Sequence, residues 1–358
     1  MTKGYLVLES GECFGGDWIS SAPLSPRIGE VVFNTSHAGY QEIASDPSYF
    51  SQIMVMTAPM QGNYGFREGE SESEKIWIEG FVCTEIQNNK AGSQWMNQLL
   101  TNKVPILSGA DTRKLTIRLR EGGTPWGAIV AAESEEDAKV QAQKLFQSRQ
   151  LIGLDWTEIV GTKKSQVLKG HNVQGPRVAV MDFGTKKNIL QELQKDCSEI
   201  LLVPAQGADP LIREWDADGI LLSNGPGDPS FCVNGIESVQ KLIGWKPMFG
   251  ICMGHQVLAL ALGAKTYKMK FGHHGGNQPV KDALLNQVYV TSQNHGYAVD
   301  PTTLPSQSRV THVNLYDKTV EGFECAPKKC WSVQFHPESN PGPHEAKTLF
   351  KLFMDKLI

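Results

Sequence analysis

The chain has 358 residues, enough for two domains, and its 40% hydrophobic and 20% charged content is that of a globular protein. A formal charge of −4, from 34 Lys and Arg against 38 Asp and Glu with no basic tract, excludes the electrostatic footprint of a nucleic-acid or anionic-membrane binder. Apolar runs fall short of the ~18 residues of a membrane span, Glu9 interrupts the N-terminus too early for a secretory core, and seven irregularly spaced cysteines do not read as a disulfide framework; the expected compartment is the reducing cytoplasm.

The first third is rich in strand-like runs and turns. "GYLVLESGECF" predicts a hairpin with Gly11 near its turn. "EVVFNTSHAGYQE" begins β-branched and apolar and then turns polar. "SQIMVMTAP" is a short strand ending before a proline, and "EKIWIEGFVCTEI" alternates as a half-buried strand should. "DTRKLTIRLREGG" has helical spacing at Leu115 and Leu119 and stops at glycines. "ESEEDAKVQAQKLFQSRQ" predicts a charged amphipathic helix. Residues 1–150 are therefore expected to form a mixed α/β domain.

Residues 151–176 are expected to be a linker, ending in the polar, Gly/Pro-punctuated "GTKKSQVLKGHNVQGP". From 177 to 358 the rhythm changes. "PRVAVMDFG", "EILLVPAQ", "ADGILLSNG" and "KPMFGIC" are buried-strand runs. They alternate with the helical patterns "TKKNILQELQKD", "VNGIESVQKLIGW" and "MGHQVLALALG". Such alternation with short connections predicts an open, mostly parallel sheet with helices on both faces. "NQVYVTSQNHGYAVD", "SRVTHVNLY", "VEGFECA" and "CWSVQFHPE" read as further strands, and "PHEAKTLFKLFMDKLI" as a closing helix.

Ligands meet such a sheet at the carboxyl ends of its strands. Cys252 leaves "KPMFGIC" at such an end, with Gly250 and Gly254 on either side. A nucleophile elbow needs small residues at those two positions, because the backbone turns sharply and strand and helix pass close together. A helix starting at 253 would point free N–H groups at the sulfur, which favours thiolate chemistry. The bland alternative is a buried cysteine filling a tight corner. Two histidines compete as its base. His255 lies one helical turn away, with nothing nearby to orient it. His336, in "VQFHPES", has Glu338 two residues on, as a triad's third member; the alternative for that stretch is a solvated loop. "LLSNGPGDPS" also ends at the carboxyl edge, where Gly225 and Gly227 permit close backbone approach; with the N–H of Met253 it could form an oxyanion hole, or be a plain turn or phosphate loop. No nucleotide-binding glycine pattern occurs. The C-x4-C pair Cys325 and Cys330 has no partner pair for structural zinc.

Together, "SNGPGDP", "FGICMGHQ", "QNHGYAV" and "FHPE" resemble a class I glutamine amidotransferase domain, a flavodoxin-like fold, over residues 177–358. "GEVVFNTSHAGYQEIASDPSY", "DTRKLTIRLRE", "DFGTKKNIL" and "FGHHGGNQPV" extend the likeness to the small subunits of carbamoyl phosphate synthetases over nearly the whole chain. The resemblance implies Cys252, His336 and Glu338 as catalytic residues. It implies Ser36, Lys186, Gly225, Gly227, Met253 (by its backbone), Gln256, Asn294, Gly296 and Tyr297 as glutamine contacts. His37-Ala38 and Gln278 depart from the commoner family residues without touching the triad. His273, His274 and His295 are structural or loop residues within the resemblance, and no metal is expected. The implied activity is glutamine hydrolysis through a glutamyl thioester. The ammonia would pass to a large synthetase subunit that holds ATP and Mg²⁺ and uses bicarbonate; this chain itself would need no cofactor. The alternatives are a glutaminase serving another acceptor and a non-catalytic regulatory subunit of the same fold.

Overall fold

The computed structural model describes residues 2–19, 25–148 and 152–357. The chain divides into two compact units, Met1–Gly153 with Lys270–His274, and Leu154–Met269 with Gly275–Ile358.

The first unit is built on a closed barrel. Its strands are β1 (Lys3–Leu8), β2 (Cys13–Ile19), β3 (Arg27–Asn34), β4 (Gln52–Met56), β6 (Gly80–Val82), β8 (Ile106–Ser108) and β9 (Trp126–Ala131), in the order β1-β2-β8-β6-β4-β3-β9. β5 (Met60–Gln61) and β7 (Glu85–Ile86) form a separate two-stranded ribbon. The expected hairpin is β1–β2, paired from Lys3↔Asp17 to Val7↔Cys13, with Gly11 at φ 88° in its turn. Helices α1 (Tyr40–Ser45), α2 (Lys90–Thr101), α3 (Thr112–Gly122) and α4 (Glu135–Gln147) complete the unit. Asp111 caps α3 by accepting from the Lys114 N–H, and the helix stops at Gly123, φ 91°. Ser134 caps α4, whose first turn carries Glu135, Glu136 and Asp137, where the helix dipole favours negative charge. The half-buried strand expected over 74–86 is shorter than its pattern: only Gly80–Val82 joins the barrel, and all three residues are buried.

The second unit holds α5 (Trp156–Val160), β10 (Gln166–Lys169), β11 (Arg177–Asp182), α6 (Lys187–Gln194), β12 (Glu199–Pro204), α7 (Ala208–Glu214), β13 (Gly219–Leu222), α8 (Val233–Leu242), β14 (Met248–Ile251) and α9 (Met253–Ala261). After these come β15 (Thr266–Asp282, of which Lys270–His274 belongs to the first unit), β16 (Gln287–Val299), β17 (Arg309–Asn314), β18 (Val320–Cys325), β19 (Cys330–Val333) and α10 (Thr348–Met354). The sheet order is β10-β12-β11-β13-β14-β19-β18-β17-β15-β16. Its five central strands, β12-β11-β13-β14-β19, are parallel. Numbered among themselves they run 2-1-3-4-5, the flavodoxin-like order. Their continuous apolar runs are explained by burial on both faces. In β11, Ala179 and Met181 enter one core while Val178 and Val180 enter the other; in β14, Met248 faces the first and Phe249 and Ile251 the second. At about 2 kcal/mol per buried aliphatic side chain, this alternation fixes the register.

The polar stretch at 154–176 belongs to this unit and contributes structure to it. α5 is capped by Asp155, and β10 pairs antiparallel with β12 from Gln166↔Leu202 to Lys169↔Glu199. All seven cysteines are free thiols. Among the described residues no helix is long and apolar enough to cross a membrane.

Candidate active site

Two neighbouring parallel strands carry the central residues. β14 pairs with β19 through Met248↔Cys330, Phe249↔Trp331, Gly250↔Ser332 and Ile251↔Val333. The Phe249 and Trp331 rings stack with centroids 4.0 Å apart, and Phe350 and Phe353 of α10 pack on Phe249. Cys252 follows β14 directly, and its N–H donates to the Val333 carbonyl at 2.9 Å. His336 follows β19 by three residues, and its N–H donates to Ser292 at 2.9 Å. The sheet register therefore brings the cysteine and the histidine to the same carboxyl edge.

Cys252 sits at φ 54°, ψ −104°, immediately before α9. A side chain in that region costs about 1–3 kcal/mol, which the surrounding packing must impose. The glycines beside it explain how. A Cβ at Gly250 would lie 2.6 Å from the Gly254 carbonyl oxygen, and one at Gly254 would lie 2.2 Å from that of Leu222. Strand and helix touch backbone to backbone, and the cysteine is turned out at their junction. The Sγ is buried and donates to the Asn294 carbonyl at 3.6 Å. Met253 places its side chain in the core, and as the first residue of α9 its N–H has no carbonyl to accept it within the helix.

His336 is buried and pairs through Nδ1 with Glu338 Oε1 at 2.7 Å. Burial alone would strip its proton. The Glu338 carboxylate and then the Cys252 sulfur outweigh that effect and hold the imidazole well above its usual range. Nδ1 is engaged by the carboxylate, so Nε2 is the nitrogen left for the sulfur. Glu338 is fully buried as well. Desolvation would raise its carboxyl, but the Lys186 ammonium and His336 together pull it below the ordinary carboxylate range.

His255 has a different setting. Its Nδ1 meets Ser332 Oγ at 2.8 Å, and burial, helped by His312, drives it down to about 3, so the ring stays neutral inside the core. The Gln256 side-chain amide donates to the Tyr297 carbonyl at 2.8 Å and to Gln334 Oε1 at 3.0 Å, tying α9 to β16. Asn294, Gly296 and Tyr297 lie along β16, whose Asn294 carbonyl meets the sulfur, and a Cβ on Gly296 would meet no atom within 4 Å, so the strand borders open space there. Gly225 and Gly227 lie in the loop after β13, Gly227 at φ 92°. Ser36 lies in the first unit, between β3 and α1, with its N–H on Asn34 Oδ1 at 2.8 Å. Lys186, at the foot of α6, has its Nζ 3.0 Å from Glu338 Oε1. His295 is held by Gln293 Oε1 and the Tyr297 carbonyl.

Some participants carry no sequence signature of their own. Asn188 donates through Nδ2 to the Glu338 carbonyl at 2.7 Å, and Asn224 accepts the Lys186 N–H at 3.0 Å. Both stand beside the residues that give "DFGTKKNIL" and "LLSNGPGDPS" their motif character. Cys232 shows what a cysteine looks like without the elbow: its thiol is buried, bonded to Thr157 Oγ1 at 3.4 Å, and pushed up to about 12 by burial.

A cysteine on a strand-to-helix elbow, beside a buried His–Glu pair, gathers a thiol, an imidazole and a carboxylate at the carboxyl edge of the parallel sheet of an α/β protein. Residues 179–356 match the family described as glutamine amidotransferase class-I, and residues 6–129 match the CPSase domain of the carbamoyl-phosphate synthase small chain. Proteins named carbamoyl phosphate synthase small chain are similar along almost the whole length. The one from Caldanaerobacter subterraneus subsp. tengcongensis is 44% identical over 99% of this chain and 96% of its own. Those from Xanthomonas campestris pv. campestris and Escherichia coli K12 are each 42% identical over 98% of this chain and 96% of theirs. The chain belongs to the carbamoyl phosphate synthase small chain family.

Proposed function

We propose that this chain is the glutaminase subunit of a carbamoyl phosphate synthase, hydrolysing glutamine to glutamate and ammonia. The observation that carries the reading is Cys252 in its positive-φ turn, next to the buried His336–Glu338 pair. Glutamine lies between the Gly225–Gly227 loop and the Asn294–Tyr297 stretch of β16, with Gln256 behind. The Cys252 thiolate attacks the side-chain amide carbon. The N–H groups of Met253 and Gly225 hold the oxyanion that develops, each such donor being worth about 3 kcal/mol. His336, as imidazolium, gives its Nε2 proton to the departing nitrogen. Ammonia leaves and a glutamyl thioester remains. Neutral His336 then takes a proton from water, whose oxygen attacks the thioester; glutamate leaves and the thiolate is regained. Glu338 keeps Nδ1 protonated and stabilises the cation whenever it forms.

The ammonia passes to a large synthetase subunit, which binds ATP and Mg²⁺ and joins it to bicarbonate; both chains work in the cytoplasm. The family membership and the seven free thiols support this setting. The test is glutamine hydrolysis by the full chain, alone and with a synthetase subunit, ATP and bicarbonate. Cys252→Ser should abolish hydrolysis and remove the glutamyl adduct from intact-protein mass spectra. An adduct of unchanged yield in that variant would remove Cys252 from the mechanism.

A further inference from the structure

The buried carboxylate of the triad serves two cations. Glu338 Oε1 accepts from His336 Nδ1 at 2.7 Å and lies 3.0 Å from Lys186 Nζ. Lys186 is only 3% exposed and Glu338 is fully buried, so this ion pair is desolvated. The same Nζ donates to the Ser339 carbonyl at 2.6 Å, and Asn188 Nδ2 donates to the carbonyl of Glu338 itself at 2.7 Å. Lys186 before α6 and Asn188 in its first turn thus grip the Glu338–Ser339 segment at three points. Its own position is fixed by the Lys186 N–H on Asn224 Oδ1, next to Gly225.

Charge counting gives this arrangement a purpose. The ionisable groups that face Glu338 and His336 are Lys186 before α6, Cys252 on the elbow, and the two residues themselves. Lys186 balances Glu338, so the carboxylate is shared between a fixed ammonium and the His336 ring beside the Cys252 sulfur. Without the ammonium, the whole carboxylate charge would bear on His336, and Glu338 would face its desolvation with one cation fewer. His336 must give up a proton in the first half of the reaction and accept one in the second. A carboxylate shared with a fixed ammonium orients the ring while binding its proton less tightly.

We propose that Lys186 is a positioning residue of the triad, acting through Glu338 to keep it ionised and aimed at His336, rather than a contact to glutamine. This deepens the glutaminase reading and rests on it. The resemblance in sequence implies a substrate contact at Lys186, so the two roles make opposite predictions.

The experiment uses the full chain without glutamine. Alkylation of Cys252 by iodoacetamide is followed by peptide mass spectrometry across pH, in the wild type, Lys186→Met, Lys186→Arg, Glu338→Gln and the Lys186→Met/Glu338→Gln double variant. Removing the ammonium should make Glu338 easier to protonate, so the acid limb of the Lys186→Met profile should move up by about one pH unit or more. Lys186→Arg keeps the charge and should keep the wild-type limb. In the Glu338→Gln background, adding Lys186→Met should shift nothing further, and that pair also removes both buried charges should Lys186→Met alone not fold. With glutamine present, Lys186→Met should lower kcat and leave KM within about twofold, because no ground-state contact is lost. An unmoved acid limb with a raised KM would make Lys186 a substrate contact and overturn the proposal. So would an Arg variant shifted as far as the Met variant, or a Lys186→Met shift that persists undiminished in Glu338→Gln. Failure of the glutaminase reading shows itself separately, as a wild-type chain whose Cys252 is alkylated normally but which hydrolyses no glutamine.

Discussion

Glu338 and His336 are buried together in opposite charge states, and that makes the stability of the chain depend on pH in a defined direction. Glu338 is held below its ordinary value of 4.5 by Lys186 and His336 against the cost of burial. Its contribution is fully present above that ordinary value and is lost as pH falls toward the folded one. His336 is held above 6.5 by Glu338 and Cys252, again against burial. Its contribution is complete below 6.5 and is lost as pH rises toward the folded value, because the folded state then binds more protons than the unfolded chain. The two act together in the interval between. The stability gap between the wild type and His336→Asn should therefore shrink from about pH 6.5 to about pH 10, and the gap to Glu338→Gln should shrink below about pH 4.5. Urea-unfolding midpoints across pH measure both. A gap to His336→Asn that stays constant over the alkaline range would mean that His336 does not carry its charge in the folded protein.

The elbow joins a strand to a helix with no room for a side chain at either flank. Gly254→Ala would drive a methyl group to within 2.2 Å of the Leu222 carbonyl oxygen, which is backbone in the middle of the sheet edge and has nowhere to go. The helix must lift from the strand, carrying the Met253 N–H and the Cys252 sulfur with it. The expected cost is about 1–3 kcal/mol of stability together with a fall in kcat of tenfold or more, read by urea unfolding and glutaminase assay. Wild-type turnover in a stably folded Gly254→Ala chain would show that the close approach does not position the nucleophile. This requirement is local, which is why it could be read directly from Gly-x-Cys-x-Gly. The central strands were legible for a related reason: residues such as Val178 to Met181 are apolar without interruption because both faces are buried. Other features depend on partners far along the chain. The closing of the first unit's strands into a barrel leaves no mark on a single strand, and the three buried residues Gly80–Val82 are too few to show a period. The 151–176 stretch reads as a linker by composition, but β10 within it is an edge strand, and an edge strand paired on one side tolerates that polarity. In the site, His-Pro-Glu and the elbow are each visible, whereas their meeting is set by the register of β14 on β19. The ion pair of Lys186 with Glu338 is set by where α6 begins, and no spacing in the sequence encodes it.

The chain as a whole pairs a glutaminase-type unit with a barrel that matches the CPSase domain of the family. Glutamine hydrolysis by itself releases ammonia into water, where it is protonated and stops being a nucleophile. The proposed activity is therefore of use only if the ammonia stays out of bulk solvent until it reaches the synthetase subunit. Isotope dilution tests this. Glutamine labelled with nitrogen-15 in its side-chain amide is supplied to the assembled complex, with ATP, bicarbonate and a large excess of unlabelled ammonium chloride. If ammonia is handed over directly, the carbamoyl phosphate formed through glutamine should carry the label in close proportion to the glutamate released. In the Cys252→Ser complex the product should contain only unlabelled nitrogen while ammonia-dependent synthesis continues, because the synthetase chemistry lies in the other chain. Label diluted to the ratio of the bulk pool in the wild-type complex would show that the ammonia mixes with solvent. The chain would then be a glutaminase without delivery.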